Sequence, residues 1–333
     1  MRPQPVRPTV EKDATLKRSA LLPVAAAFLV LLVLPSFIPS YYVYLFTLIY
    51  ITALLATSLN FCLGYGGLLQ LHHAVFYGLG AYTVAITAVR TSLPLWCGLL
   101  LGPLVAAAIG WVMGWFCVRL RGLYFGMLML ALGQLVWTVV YRWYEFTGGD
   151  DGIHGLSMPP LIDSLTGCYY LTLVVFFVCL GIMYLMVNSP FGVTLQATRD
   201  NPVRSESIGI NIRRHQLASF VIAAFFAGVA GVLFVVLERS VSPALLFWSK
   251  SAEVLIMCLL GGMSTFLGPS LGAAAVVVLS TVIGIHTEYW LIVLGVILLV
   301  LVLFLPQGIL GYLEERIGSG RGLKGASEDY VEG

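Results

Sequence analysis

The sequence predicts an all-α polytopic membrane protein, a bundle of about eight to ten transmembrane helices. Hydrophobic residues make up 59% of the 333-residue chain and charged residues 10%, with a mean hydropathy of +0.94. Soluble domains carry about 25% charged residues. Apolar runs close to the roughly 20 residues that cross a bilayer recur along the chain. They are solidly apolar rather than alternating, which favours helices over a closed barrel.

Ten apolar runs define a transmembrane domain over residues 20–312, between a polar N-terminal leader (1–19) and a polar C-terminal tail (313–333). The first run is longer than the roughly 7 to 15 apolar residues of a cleaved signal peptide, which indicates an uncleaved first helix. The predicted spans are 20–38, 42–63, 72–89, 96–118, 122–141, 168–187, 216–237, 252–267, 270–285 and 289–305.

Lysine and arginine are distributed unevenly between the loops, and this predicts the orientation. If the spans alternate from a cytoplasmic N-terminus, 14 of the 18 basic residues fall on the cytoplasmic side, in the leader, the 119–121 turn, the 199–214 segment and the tail. Because cytoplasmic loops are enriched in basic residues, we expect both termini to be cytoplasmic and the number of spans to be even. The basic residues are therefore topology signals, and no nucleic-acid partner is expected.

Several function classes lack their sequence signatures in this chain. The sequence contains no P-loop motif, so we do not expect it to hydrolyse ATP through a P-loop of its own. Predicted spans carry no Asp, Glu, Lys or Arg at their centres, where ion-coupled carriers often place ionisable groups. Neither a nucleophile elbow nor a zinc-protease motif occurs. We therefore predict a protein that is not an enzyme, with no catalytic residues, no cofactor and no metal site.

The cysteines are scattered without the C-x2-C spacing of a metal site. Most of them lie within apolar runs, as is typical of cysteines that pack as small hydrophobic side chains. Cys97 and Cys168 fall near the outer ends of spans, so an external disulfide between them stays open. The six cysteines are Cys62, Cys97, Cys117, Cys168, Cys179 and Cys258.

The loop at 141–167, on the predicted periplasmic side, combines acidic residues with turn-forming glycines. It is longer than the roughly 2 to 8 residues that usually connect helices in a bundle, and longer loops are often functional. We interpret it as a docking or gating element, with a solvated connector as the alternative. Its acidic residues and glycines are Glu145, Asp150, Asp151, Asp163, Gly148, Gly149, Gly152 and Gly155.

The loop at 188–216, on the predicted cytoplasmic side, contains signals for a short helix. Asp200 or Asn201 can cap it, Pro202 suits its first position, and Gly209 can end it in the left-handed conformation. A helix of about two turns is too short to be stable alone in water, so it must rest on this chain or on another protein. A plain surface helix is the alternative. The charged residues expected to suit a polar partner are Arg199, Arg204 and Glu206.

The stretch LGYGGLLQLHHAVFYGLGAYTVA (63–85) places five glycines in an apolar run. Backbone groups freed by glycines in hydrocarbon need partners in protein or in a water-lined cavity, and transporters build sites from such broken helices. A second interruption, GGMSTFLGPSLG, lies at 261–272. The alternative for the glycines is close packing of small residues, which we also expect for GWVMG (110–114) and AAFFAG (223–228).

His72 and His73 admit two interpretations that the sequence leaves open. They are either hydrogen-bonding residues at the inner mouth of the bundle or part of a substrate site. Adjacent histidines point to different helix faces, which argues against a shared metal ion.

Five segments of this chain resemble successive signatures of bacterial branched-chain amino-acid ABC transporter permeases, of the LivM rather than the LivH type. They occur in the same order and spacing and cover nearly the whole chain after the leader. In the first segment, Gln70, Leu71, His72 and His73 stand where a Ser-Leu-Gly-His run is usual. The segments are LNFCLGYGGLLQLHHAVFYGLGAY (59–82), RLRGLYFGMLMLALGQ (119–134), TGGDDGI (147–153), ATRDNPVRSESIGIN (197–211) and SAEVLIMCLLGGMSTFLGPSLGAA (251–274).

The resemblance implies a permease subunit of an ATP-driven importer, which carries branched-chain amino acids across the bacterial inner membrane by alternating access. It implies four kinds of neighbour: a sister permease subunit, two cytoplasmic ATPase subunits, a periplasmic substrate-binding protein and the lipid bilayer. A permease for urea or short amides is the alternative within this class. An ion-coupled secondary carrier and a membrane receptor or scaffold are the alternatives outside it.

The candidate site residues form three groups. The resemblance places the coupling segment on 197–211, with Arg199, Asp200, Asn201, Pro202, Arg204, Glu206 and Gly209. Residues expected in the translocation pathway or at a helix break are Asn60, Gly64, Gly66, Gly67, Gln70, His72, His73, Tyr77, Gly78, Gly80, Gly261 and Gly262. Residues expected to receive the binding protein are Thr147, Gly148, Gly149 and Asp150.

Overall fold

The computed structural model describes residues 30–91, 94–120, 122–160, 162–263 and 265–284, together with 292, 295–296 and 308–310. Within this part of the chain the architecture is all-α, as predicted, apart from one two-stranded sheet. The leader, the tail, nearly all of the last predicted span and the start of the first one lie outside the described residues.

Long apolar helices form the bundle. Five of those in the described residues are long and apolar enough to cross a membrane, and two shorter apolar helices accompany them. The helices are α1 (Ser40–Asn60), α2 (Ala74–Arg90), α3 (Leu95–Cys117), α4 (Leu123–Arg142), α5 (Tyr144–Thr147), α6 (Leu165–Val187), α7 (Pro190–Asp200), α8 (Pro202–Ser207), α9 (Ile212–Glu238), α10 (Trp248–Gly261) and α11 (Gly268–Gly284).

Seven of the ten predicted runs coincide with helices, and an eighth, at 252–267, is wrong as one continuous span. Helix α10 has 14 residues and ends at Gly261, which gives it a length of about 21 Å, short of the roughly 30 Å hydrocarbon core. Gly262 has φ +109°, a conformation that side chains with a Cβ rarely adopt. The chain turns there, and α11 packs back along α10 as the second arm of a helical hairpin.

Helix α9 lies at the centre of the bundle, where it packs against α1, α2 and α3, and α1 in turn packs against α6 and α11. Small residues allow this close approach. An added Cβ at Gly110 would lie 2.6 Å from Cβ of Ala224, and one at Gly228 would lie 2.6 Å from Cβ of Ala106. The small-residue packing predicted for 110–114 and 223–228 is therefore confirmed.

One end of the bundle, which we call the basic end, holds the α3–α4 turn and the segment from Asn188 to Asn211. Side-chain caps start three successive helices in that segment. Ser189 accepts from the amide of Gly192 at 3.4 Å, Asn201 from Arg204 at 3.0 Å, and Asn211 from Arg214 at 3.1 Å. Since a helix cap contributes about 1 kcal/mol, the caps fix where the helices of this polar segment begin.

The other end, which we call the sheet end, holds a small antiparallel sheet of β1 (Ile153–His154) and β2 (Ser240–Val241). It ties the 141–167 loop to the chain that follows α9. Arg239 adds an ion pair with Asp163 at 3.0 Å. The loop is therefore folded onto the bundle rather than extended away from it.

Cys97 and Cys168 do not form a disulfide, because both are free thiols. The pairing that the sequence left open is therefore wrong. Cys97 lies on α3, which packs mainly against α2 and α9, whereas Cys168 lies buried on α6, which packs mainly against α1. The two helices therefore pack in different parts of the bundle.

Candidate functional site

The first glycine-rich segment is a true break between α1 and α2. Helix α1 ends in a π-helical turn, Phe61–Tyr65, and residues 66–73 form no helix. The amide of Leu68 reaches back to the carbonyl of Cys62 at 3.1 Å, which closes a wide turn. Such π-helical turns occur frequently at functional sites.

Polar side chains hold the break against α1. The two ring nitrogens of His73 contact Ser58 Oγ, at 2.9 Å, and the side-chain oxygen of Gln70. Gln70 in turn lies 3.3 Å from the Cys62 sulfur through its Nε2. Both of these side chains are buried, so the bonds satisfy polar groups inside the bundle.

The neighbouring His72 is also fully buried, but its ring packs against Gly133 of α4 rather than against α1. The two histidines thus face different helices, as predicted for adjacent positions. His73 has the contacts of a hydrogen-bonding residue that stabilises the break. For His72, both interpretations made from the sequence stay predictions.

The second glycine-rich interruption contacts the first, although some 200 residues separate them in the chain. Asn60 donates from Nδ2 to the carbonyl of Thr265 at 3.3 Å. An added Cβ at Gly64 would lie 2.6 Å from the carbonyl oxygen of Met263. A side-chain hydrogen bond between Thr57 and Ser270, at 3.0 Å, joins the α10–α11 hairpin to α1. The two breaks, including Gly261 and Gly262, therefore form one contiguous region.

Three residues predicted in the translocation pathway or at a helix break do not lie at a break, and their place in the pathway stays a prediction. Tyr77, Gly78 and Gly80 belong to α2, which runs without interruption. Gly78 packs against Leu246, and Gly80 packs against the main chain of Gly228 on α9. For Gly78 and Gly80 the alternative given above, close packing of small residues, therefore applies.

The short helix predicted near the basic end is present as α8, which has six residues. Asn201 is its cap, Pro202 occupies its first turn, and Gly209 follows it with φ +87°. Asp200 is the last residue of α7 rather than the cap. One side of α8 rests on this chain, since Ser205 is buried and donates to the carbonyl of Ala197 at 3.0 Å.

Two exposed apolar side chains, one on α8 and one directly after its last residue, were not singled out from the sequence. Val203 is 70% exposed and Ile208 is 73% exposed. They lie beside the exposed Arg204 and Glu206. The available signal was a valine and an isoleucine in an otherwise polar segment, where no apolar run explains them.

Arg199, expected to pair with a partner, contacts its own chain while its side chain stays exposed. It lies on α7, its guanidinium pairs with Asp200 at 2.8 Å, and its Nη1 also donates to the carbonyl of Gly64 in the first break. An added Cβ at Gly67 would lie 2.6 Å from Cγ of Arg199. The side chain therefore makes contacts within this protein, and a contact with a partner stays a prediction.

A cavity of about 150 Å³ lies beside this contact at the basic end. The break, the α3–α4 turn and the segment around α8 all contribute to its wall. Its lining includes Gly66, Leu69, Phe125, Arg199, Pro202 and Gln216.

The residues expected to receive a binding protein lie at the sheet end, in a folded turn. Thr147 is buried, and its hydroxyl shares its one proton between the carbonyls of Val140, at 2.6 Å, and Trp143, at 2.7 Å. Gly148 and Gly149 have positive φ, and Gly149 is buried against Tyr144. Of the four predicted residues, only Asp150 is exposed, so the other three build the turn that presents it.

Comparison with known proteins identifies the family of this chain. Residues 41–302 match the family model described as branched-chain amino acid transport system / permease component. The range includes both breaks, α8 and every helix from α2 to α11. No solved structure matches the chain.

Individual relatives agree with the family match. The chain is 31% identical over 291 residues to the high-affinity branched-chain amino acid transport system permease protein LivM of Escherichia coli, covering 79% of this chain and 68% of the relative. The LivM protein of Salmonella typhimurium gives the same identity and coverage. A probable LivM of Methanocaldococcus jannaschii is 24% identical, over 74% of this chain and 80% of the relative. This multi-pass membrane protein belongs to the family of branched-chain amino acid transport permease components.

Proposed function

We propose that this chain is one permease subunit of an ATP-driven importer that carries branched-chain amino acids across the bacterial inner membrane. The observation that carries the proposal is the family match over residues 41–302, together with the LivM relatives. Its partners would be a sister permease, two cytoplasmic ATPase subunits and a periplasmic binding protein. A LivH permease of M. jannaschii is 34% identical over 19% of this chain, which supports a related sister subunit.

The proposed orientation places the basic end in the cytoplasm and the sheet end in the periplasm, with both termini cytoplasmic. The distribution of basic residues supports this orientation. It brings α8 within reach of cytoplasmic ATPase subunits and the 141–167 loop within reach of a periplasmic protein. The coupling segment and the docking segment thus lie at opposite ends of one bundle.

The proposed mechanism is alternating access driven through α8. Val203 and Ile208 would insert into an apolar groove of the ATPase subunit, as helix-in-groove contacts do. Arg204 and Glu206 would form the polar rim of that contact. Movement of α8 would then tilt the helices around the two breaks and open the path to one side at a time. This chain would contribute the translocation path and the coupling helix α8, and the partner subunits would hydrolyse ATP.

The substrate class is tested by uptake into proteoliposomes that contain the complete transporter and its binding protein. We expect ATP-dependent accumulation of labelled leucine, isoleucine or valine, with unlabelled urea and acetamide unable to compete. Accumulation of urea or acetamide, with no uptake of the branched-chain amino acids, would establish the alternative substrate class.

The exposed acidic face of the 141–167 loop is proposed to receive the binding protein. Reversing Glu145 and Asp150 to lysine changes this face without touching the buried turn. We expect the double variant to reduce the stimulation of ATPase activity by loaded binding protein about five-fold or more, because like charges would then meet across the contact. The control is Ser157→Lys, which adds a charge elsewhere in the loop. If loaded binding protein stimulates the ATPase activity of the double variant as fully as that of the parent, the loop is only a connector.

A further inference from the structure

Arg199 links the short helix α8 to the first glycine-rich break. It lies two residues before the α8 cap, Asn201, and donates through its guanidinium to the carbonyl of Gly64. Main-chain carbonyls at the end of a helix lack partners within the helix, and an arginine can supply the missing donor. The side chain thus completes the end of α1 from a distant segment of the chain.

The break is shaped to hold this side chain. Gly67 adopts φ +67°, and an added Cβ there would lie 2.6 Å from Arg199 Cγ and 3.3 Å from its Cβ. The aliphatic stem of the arginine therefore packs directly on the glycine main chain. Asp200 holds the guanidinium from the other side at 2.8 Å. The arginine is thus in contact with this chain at both its stem and its head.

The contact reaches the second break as well. Gly64 packs against the carbonyl of Met263, and Asn60, one turn earlier, donates to the carbonyl of Thr265 at 3.3 Å. A displacement of the α7–α8 junction would pull on Gly64 and so on both interruptions. The cavity of about 150 Å³ beside Arg199 leaves room for that movement.

We infer that Arg199 is a positioning residue that transmits movement of α8 to the two glycine-rich breaks, rather than a contact with the ATPase. The inference rests on the proposed function, since it assumes that α8 is moved by an ATPase partner. It assigns different roles to two arginines five residues apart in the coupling segment. Arg199 contacts the break through Gly64 and Gly67, whereas Arg204 is exposed and would contact the partner.

The test measures substrate transported per ATP hydrolysed by the complete transporter in proteoliposomes. For Arg199→Gln we expect this ratio to fall about five-fold or more, which is the size of effect that typical coupling free energies between two sites produce. The ATPase subunits should still co-purify as they do with the parent. Arg199→Lys should recover part of the ratio, because lysine can still donate to Gly64. Gly67→Ala should lower the ratio without any change of charge, because its Cβ displaces the arginine stem.

The matched control is Arg213→Gln, which removes the same charge from an exposed position in the first turn of α9, outside the coupling segment 197–211. We expect it to keep the parental ratio. A parental ratio in Arg199→Gln would overturn the inference. So would loss of the ATPase subunits from Arg199→Gln, because the residue would then be a direct contact. Absence of ATP-driven uptake in the parent transporter would instead count against the proposed function.

Discussion

A transporter in which Val203 and Ile208 are both replaced by aspartate is expected to lose its ATPase subunits on purification. The two side chains are 70% and 73% exposed in this chain, and burial of an aliphatic side chain is worth about 1.5–3 kcal/mol. Exposed ion pairs, such as those that Arg204 and Glu206 could form, contribute only about 0–1 kcal/mol. The apolar pair should therefore carry most of the binding energy at α8.

The measurement is the ratio of ATPase subunits to permease after affinity purification, followed by size-exclusion chromatography. Val193→Asp is the matched control, since Val193 is 61% exposed on the neighbouring helix α7. The control should retain its ATPase subunits, and both variants should insert into the membrane. A double variant that keeps a full complement of ATPase subunits would show that α8 is not the principal contact.

The local features of α8 could be predicted because the signals are local. A cap at Asn201, a proline in the first turn and a glycine after the last turn act within a few residues of one another. The apolar runs predicted most of the helices for a similar reason, since each run must satisfy its own backbone in lipid. Neither prediction needed knowledge of the tertiary structure.

The long-range contacts could not be predicted in this way. Arg199 and Gly64 are 135 positions apart, and no pattern in the sequence connects them. The glycines of 63–85 were ambiguous because a broken helix and a close helix crossing use the same residue. Only the path of the main chain separates Gly64 and Gly67, which lie at a break, from Gly78 and Gly80, which pack α2 against its neighbours.

The 141–167 loop shows a related difficulty. Its glycines indicated turns, but the sequence did not show that Thr147 would be buried with its hydroxyl bonded to two carbonyls. At the loop surface, Tyr144 donates to Asp151, and this bond raises the pKa of the Tyr144 hydroxyl. These contacts fold the loop on itself, so its candidate docking surface is smaller than the sequence suggested.

We propose that the energy for transport comes from ATP hydrolysed by partner subunits. The most direct measurement is uptake by proteoliposomes that contain this chain, its sister permease and the binding protein, with and without the ATPase subunits. We predict that substrate accumulates against its gradient only when both the ATPase subunits and ATP are present. Without the ATPase subunits, neither a proton gradient nor a sodium gradient should drive accumulation. Uphill uptake driven by either gradient in their absence would contradict the claim.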